Sequence, residues 1–131
     1  MKFSGRAAGA ICLALALMAS SSGAADLRLT PALLPTAMQG LWAYEPGDCD
    51  HADSDGLLTI EGRAIHFFAS AYHLRRIVRR RDGSVRAFGL RSDEGEERRT
   101  PDDLRLKLLA PDRILVVTNS PAGDTYHRCR H

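Results

Sequence analysis

The segment Gly40-Leu41-Trp42-Ala43-Tyr44, followed closely by Cys49, decides the fold together with Tyr126 to Cys129 at the far end of the chain. The first segment holds the only tryptophan, and its alternation predicts a first β-strand. If Cys49 and Cys129 are bonded, the first and last strands are neighbours. A chain of short strands whose two ends meet is most simply a closed barrel.

The N-terminus predicts the compartment. Lys2 and Arg6 precede an apolar run from Ala7 to Ala19, and small and polar residues follow it as far as Ala25. This is the layout of a secretory signal peptide, and the run is too short to span a bilayer as a mature anchor. A buried helix is the alternative. We expect residues 1–25 to be removed, which leaves a periplasmic or secreted protein without a membrane span.

Removal of the signal peptide also changes the charge balance. The full chain has 18 Lys+Arg and 16 Asp+Glu, and the signal peptide takes away two cations and no acid. The remaining chain of roughly 100 residues is therefore balanced in charge and fits one domain with a single core. Its charge gives no support for nucleic-acid binding.

Two of the three cysteines survive this cleavage, because Cys12 lies inside the apolar run. In an oxidising compartment two cysteines in a small domain normally pair, which predicts a Cys49–Cys129 disulfide. Closing so long a loop contributes roughly 4–5 kcal/mol in the chain-entropy model. A nucleophilic role for Cys49 is the alternative, and no neighbouring motif supports it.

An N-terminal arm, residues 26–39, precedes the first strand. Thr30 is a candidate N-cap for one short helical turn, and Pro35 prevents a longer helix. The arm also carries apolar residues that we expect to pack against one end of the barrel: Leu33, Leu34 and Met38.

Short alternating runs separated by turn residues predict eight strands: 40–45, 57–61, 64–69, 72–81, 84–91, 104–108, 113–118 and 124–130. Asp82-Gly83 is the strongest hairpin signal, Gly62 suits a bend with positive φ, and imperfect alternation near Arg75 predicts a bulge. We expect an all-β domain over residues 40–131, an antiparallel meander barrel of about eight strands, with a two-sheet sandwich as the alternative.

The early Gly40-Leu41-Trp42 resembles the Gly-x-Trp signature on the first strand of lipocalins. In those barrels the tryptophan closes one end and packs on an arginine from the end of the barrel, which implies Arg128 or Arg130 here. The segment is also similar to small secreted barrels of the metalloproteinase-inhibitor type, where a cysteine follows soon after. Those inhibitors close a short loop between their cysteines, whereas Cys129 is distant from Cys49. Small proteobacterial barrels with an early Gly-x-Trp and a late Tyr-x-Arg-Cys fit better.

A barrel of this size has room for side chains or one small ligand, and barrel mouths are usual binding sites. We expect aromatic residues around such a site: Trp42, Tyr44, Phe67 and Phe88. The sequence therefore predicts a non-catalytic binding module, a monomer, for a small ligand or a periplasmic or secreted protein. An inhibitor of a secreted or periplasmic hydrolase, inserting the arm of residues 26–39 into the enzyme, is the alternative.

The densest basic stretch predicts a second candidate surface. Simple alternation places Arg75, Arg79 and Arg81 on one face, where they suit phosphate or an acidic glycan, and the alternative is a solvated strand. The acidic loop of residues 48–55 has carboxylates for a hard cation but does not match an EF-hand. No nucleophile motif, cofactor motif or metal-ligand spacing stands out, so we predict no enzyme activity, no cofactor and no metal.

Overall fold

The computed structural model describes residues 32–130, so the predicted signal peptide and the start of the arm lie outside the described residues. The described chain forms eight strands and two short 3-10 helices, at Thr36–Met38 and Pro46–Asp50. The strands are β1 Gly40–Ala43, β2 Leu57–Glu61, β3 Ala64–His66, β4 Ser70–Arg79, β5 Val85–Asp93, β6 Thr100–Ala110, β7 Arg113–Val117 and β8 Asp124–Arg128.

Each strand pairs with the next in an antiparallel ladder, and β1 pairs with β8, which closes the barrel. The predicted eight-stranded meander is therefore confirmed, and the two-sheet sandwich is excluded. Only two residue pairs join the β1–β8 seam, Trp42 with Arg128 and Ala43 with His127. The Cys49–Cys129 disulfide, with a Cα separation of 5.5 Å, fastens the same seam and is confirmed.

The barrel interior is filled with side chains. One residue in two on most strands points inward, as alternation requires. Twelve such residues have at most 3 % of their surface exposed: Trp42, Leu58, Ile60, Ile65, Tyr72, Leu74, Val85, Ala87, Leu104, Leu106, Ile114 and Val116. The interior is therefore a packed core rather than a ligand chamber.

The arm closes one end of this core. The Leu34 amide donates to the Gly62 carbonyl oxygen at 2.8 Å, and the side chains of Leu34 and Met38 are buried against Trp42. We call this the closed end. Leu33 differs from its expected packing, because half of its surface is exposed.

The candidate N-cap Thr30 lies outside the described residues, and the 3-10 helix of the arm follows Pro35, because the fixed φ of proline suits a helix start. Two local predictions are wrong. Strand β1 ends at Ala43, so Tyr44 leaves the ladder and lies half-exposed instead of sharing the face of Trp42. The φ of Gly62 is not positive, whereas Gly83 in the Asp82-Gly83 turn has φ +81°.

Candidate functional site

The end of the barrel opposite the arm is open, and we call it the mouth. It is formed by the β1–β2 loop near Asp55, the β3–β4 turn Phe67 to Ala69, the β5–β6 turn that begins at Glu94, and Thr118-Asn119 after β7. The Glu94 amide donates to the Ala69 carbonyl oxygen at 2.8 Å, so two of these turns are tied together. The mouth is thus assembled from four separate connections.

Two adjacent phenylalanines occupy the β3–β4 turn and face opposite ways. Phe67 packs edge-on against Tyr72, with ring centroids 5.8 Å apart, and joins the core. Phe68 projects outward with 61 % of its surface exposed. Within residues 32–130, this is the highest exposed fraction among the large exposed hydrophobic side chains. The turn is fixed by a 2.8 Å hydrogen bond from the Phe67 amide to the Ser70 carbonyl oxygen. A rigid turn therefore presents one unshielded aromatic ring to solvent.

A polar cluster lies beneath this turn, at the top of the core. Because Tyr72 on β4 is in register with Arg91 on β5, their side chains share a face, and Asp102 on β6 reaches both. The Tyr72 hydroxyl donates to Asp102 at 3.2 Å, and the Arg91 guanidinium contacts Asp93 at 2.8 Å. Every charge in the cluster has an opposite neighbour, so the cluster stabilises the shape of the mouth.

The electrostatics of the cluster keep its two hydrogen-bond donors protonated. Burial, and then the negative charge of Asp102, raise the pKa of Tyr72 to about 12. The hydrogen bond to Asp93 raises the pKa of Arg91. At neutral pH the Tyr72 hydroxyl therefore keeps the proton that it donates to Asp102, and Arg91 keeps its positive charge beside Asp93.

Three shallow clefts surround the exposed ring of Phe68. One of about 310 Å³ lies between Phe68 and Asn119, and one of about 350 Å³ lies towards Glu94. A third, of about 430 Å³, runs towards Leu41 on the outer wall. All three are lined by both phenylalanines of the turn. The Phe67-Phe68 turn is therefore the centre of the most indented part of the mouth.

The structure does not gather the four aromatic residues that the sequence singled out. Trp42 is fully buried at the closed end, where its indole N–H donates to the Met38 carbonyl oxygen at 3.0 Å. Tyr44 packs edge-on against Tyr126 near the seam, with ring centroids 5.9 Å apart. Phe88 lies on the outer wall, and only Phe67 belongs to the mouth. Phe68, Tyr72 and Arg91 are the mouth residues that the sequence did not single out.

The bulge on β4 rearranges the basic stretch. Register shifts between Leu74 and Arg76, so Arg75 and Arg76 are both exposed and simple alternation breaks at this point. Beyond the bulge Arg79 is in register with Val85, a core residue. The extra residue at the bulge lies between Arg75 and the rest of the basic stretch, so Arg79 and Arg81 are not on the same face as Arg75. The single basic face that simple alternation predicts is therefore not formed.

A different set of arginines converges on the outer wall. One indentation of about 460 Å³ has a lining that includes three arginines, two aspartates and two neutral polar residues: Arg80, Arg86, Arg105, Asp102, Asp103, Thr118 and Asn119. We call it the basic cleft, because its arginines outnumber its aspartates. The nearby ring of Phe88 is contacted by two guanidiniums, with those of Arg76 and Arg86 at 5.3 and 4.8 Å from its centroid. These residues come from β4, β5, β6 and the connections beside them.

The acidic loop folds on itself. Asp48 accepts hydrogen bonds from the Glu45 amide at 3.1 Å and the Ser54 hydroxyl at 2.8 Å, so its carboxylate stabilises the second 3-10 helix. Within residues 32–130, no three His, Cys, Asp or Glu side chains lie together in a way that could hold a metal ion. Asp48 therefore has a structural role in this loop.

Comparison with known proteins gives no family. No family model, curated protein or solved structure matches the chain. The arginine contact implied by the lipocalin resemblance is present, since the Arg128 guanidinium lies 4.1 Å from the Trp42 ring centroid. Membership of that family stays a prediction that depends on Gly40 to Trp42. Across the described range of the chain, no helix has the length and apolarity needed to cross a bilayer.

Proposed function

We propose that the protein is a non-catalytic binding module that docks on a protein partner through its mouth. One observation carries the proposal: the interior is packed with side chains, while Phe68 stands exposed on a fixed turn at the centre of three clefts. Exposing a phenylalanine forfeits roughly 1.5–3 kcal/mol of burial free energy. Aromatic anchors that fill a pocket are typical hot spots of protein interfaces.

The charges around Phe68 define the partner's chemistry. Asp55 lines the cleft on one side of the ring and Glu94 lines the cleft on the other, whereas Asp93 is already paired with Arg91. A partner surface that fits would offer an apolar pocket for the ring and basic side chains around it. Such complementarity mainly raises the association rate and the specificity, and it weakens as salt is added.

A secreted or periplasmic location fits this function. It is supported by the signal-peptide pattern of residues 1–25 and by the disulfide, which forms and persists in oxidising compartments. The polar cluster at the mouth has a structural role in this proposal, since its carboxylates are engaged by Tyr72 and Arg91.

The two other readings of the sequence are less well supported. A small apolar ligand is less well supported because the barrel interior is filled with side chains, and Trp42 is buried at the closed end and lines none of the three clefts at the mouth. Insertion of the arm into a hydrolase conflicts with the burial of Leu34 and Met38, which the barrel needs for its own closed end. A hydrolase partner would instead have to contact the mouth.

The experiment is an affinity capture with three forms of the purified protein: the natural chain, Phe68→Ala and Leu109→Ala. Leu109 is the matched control, because it is also an exposed large apolar residue, at 47 %, and it lies on β6 outside the mouth clefts. We expect a partner from the envelope or culture medium of the source organism to be captured by the natural chain and by Leu109→Ala. Phe68→Ala should lose it.

The same capture is repeated at several salt concentrations. Capture should weaken when sodium chloride is raised, because the acidic rim contributes to association. An identical protein set on all three forms would contradict the proposal. Loss of the partner with Leu109→Ala but not with Phe68→Ala would also contradict it, because the docking surface would then lie on the wall.

A further inference from the structure

We infer that the basic cleft is a binding site for a tetrahedral oxyanion, of the phosphate or sulfate class, carried by a small soluble ligand. The arginines of this site lie away from Phe68, and the site shares only Thr118 and Asn119 with the mouth clefts. Four observations carry it: the strand register, the distribution of carboxylates, the neutral donors and the size of the cleft.

The register brings two like charges together. Arg86 on β5 is directly opposite Arg105 on β6, and both point away from the core because Val85, Ala87, Leu104 and Leu106 beside them are buried. Directly opposed residues have Cβ atoms about 5 Å apart, and like charges in that position destabilise a sheet. A bound anion would convert this repulsion into attraction.

The two carboxylates in the lining, Asp102 and Asp103, leave two of its three arginines without an ion pair. Asp103 pairs with Arg86 at 3.0 Å, and Asp102 is engaged with Tyr72 and Arg91 on the core side of the strand. Among residues 32–130, no carboxylate oxygen lies within 4.0 Å of the guanidinium of Arg80 or Arg105. Two guanidiniums are thus left to meet a ligand.

The remaining lining favours a tetrahedral oxyanion over a carboxylate. Thr118 offers a hydroxyl and Asn119 an amide at the rim, so donors approach the cleft from several sides. A phosphoryl group has three acceptor oxygens, and arginine forks pair with them in bidentate fashion. The cleft, of about 460 Å³, is large enough for a phosphorylated or sulfated small molecule.

The test is calorimetric titration of the purified protein, at low ionic strength, with inorganic pyrophosphate and separately with sulfate. We expect one-to-one binding of at least one of the two, and the tighter one identifies the class of the ligand. Arg105→Gln and Arg80→Gln should each weaken binding about tenfold or more. Arg113→Gln removes the same charge from an exposed position four residues from Val117 on β7, and it should change affinity less than about twofold.

Thermal unfolding checks that any loss of binding in Arg105→Gln is not caused by loss of the fold. Pyrophosphate or sulfate should raise the melting temperature of the natural chain, and Arg105→Gln should melt no lower than the natural chain without ligand, since it relieves the repulsion with Arg86. The inference is overturned if neither anion binds with one-to-one stoichiometry. It is also overturned if Arg113→Gln weakens binding as much as Arg105→Gln, because binding would then follow net charge alone.

Discussion

Replacing Arg128 by methionine should lower the free energy of unfolding by about 3 kcal/mol, because this side chain joins three segments at the closed end. Its guanidinium lies 4.1 Å from the Trp42 ring centroid, and such contacts contribute about 0.5–2 kcal/mol. It also donates hydrogen bonds to the carbonyl oxygens of Ala37, Gln39 and Pro111. Those carbonyls regain water in the variant, so we assign about 0.5–1 kcal/mol to each bond.

Urea unfolding followed by far-UV circular dichroism measures this loss without depending on the fluorescence of Trp42. Arg128→Lys keeps the charge but loses the planar fork, so it should lose about half as much stability. Arg130→Gln is the control, because its side chain is 84 % exposed and its nearest carboxylate, on Asp112, is 3.9 Å away. It should change stability by less than about 0.5 kcal/mol. A loss below about 1 kcal/mol in Arg128→Met would refute the view that Arg128 holds the closed end.

Three further predictions follow from the fold. Reducing the Cys49–Cys129 disulfide should lower the free energy of unfolding by about 4 kcal/mol, since the bond spans 80 residues; equal urea midpoints with and without reductant would contradict this. In an ultraviolet pH titration one tyrosine should ionise near pH 12, and Tyr72→Phe should remove that step. Because burial keeps the Tyr72 phenol protonated in the fold, its contribution to stability is complete below pH 10 and is lost as the pH rises to about 12. Gly89→Ala should destabilise by about 3 kcal/mol or more, because its Cβ would stand 2.1 Å from a backbone oxygen of β4, whereas Gly47→Ala, with open space around it, should be near neutral in the same urea assay.

The barrel could be predicted from local sequence because most strands show their own alternation of apolar and polar residues. Most turns also contain residues that favour a turn, such as glycine, proline and aspartate. Leu57–Glu61 is predicted to the residue, and Gly83 adopts the positive φ that its hairpin requires. The disulfide followed from a cysteine count and a compartment, neither of which needs a structure.

The site depends on register between strands, which local sequence does not encode. The cluster at the mouth combines residues from three strands, Tyr72, Arg91 and Asp102. Their spacing along the chain does not predict that they are in contact. Phe88 is a different case, because it alternates with the buried residues Val85 and Ala87 and therefore lies on the outer wall. Phe88 was predicted to be a ligand residue because it is aromatic, but its position on the strand places it outside the mouth.

The basic residues were misplaced for a related reason. Imperfect alternation indicated a bulge near Arg75, but simple alternation was still applied across it. One extra residue exchanges the two faces of a strand, so the residues of β4 from Arg76 onwards lie on the face opposite to the one that simple alternation predicts. The convergence of Arg80 with Arg86 and Arg105 depends on that exchange together with the pairing of three strands.

The central claim is that a protein partner docks on the mouth through Phe68, and site-specific photo-crosslinking tests it most directly. Phe68→p-benzoyl-phenylalanine places the reactive group in the proposed interface, and Leu109→p-benzoyl-phenylalanine places it on the wall as the control. After irradiation in an extract of the source organism, we expect one cross-linked partner from position 68, competed by excess natural protein and absent from position 109. No cross-link from position 68, or the same products from both positions, would contradict the claim.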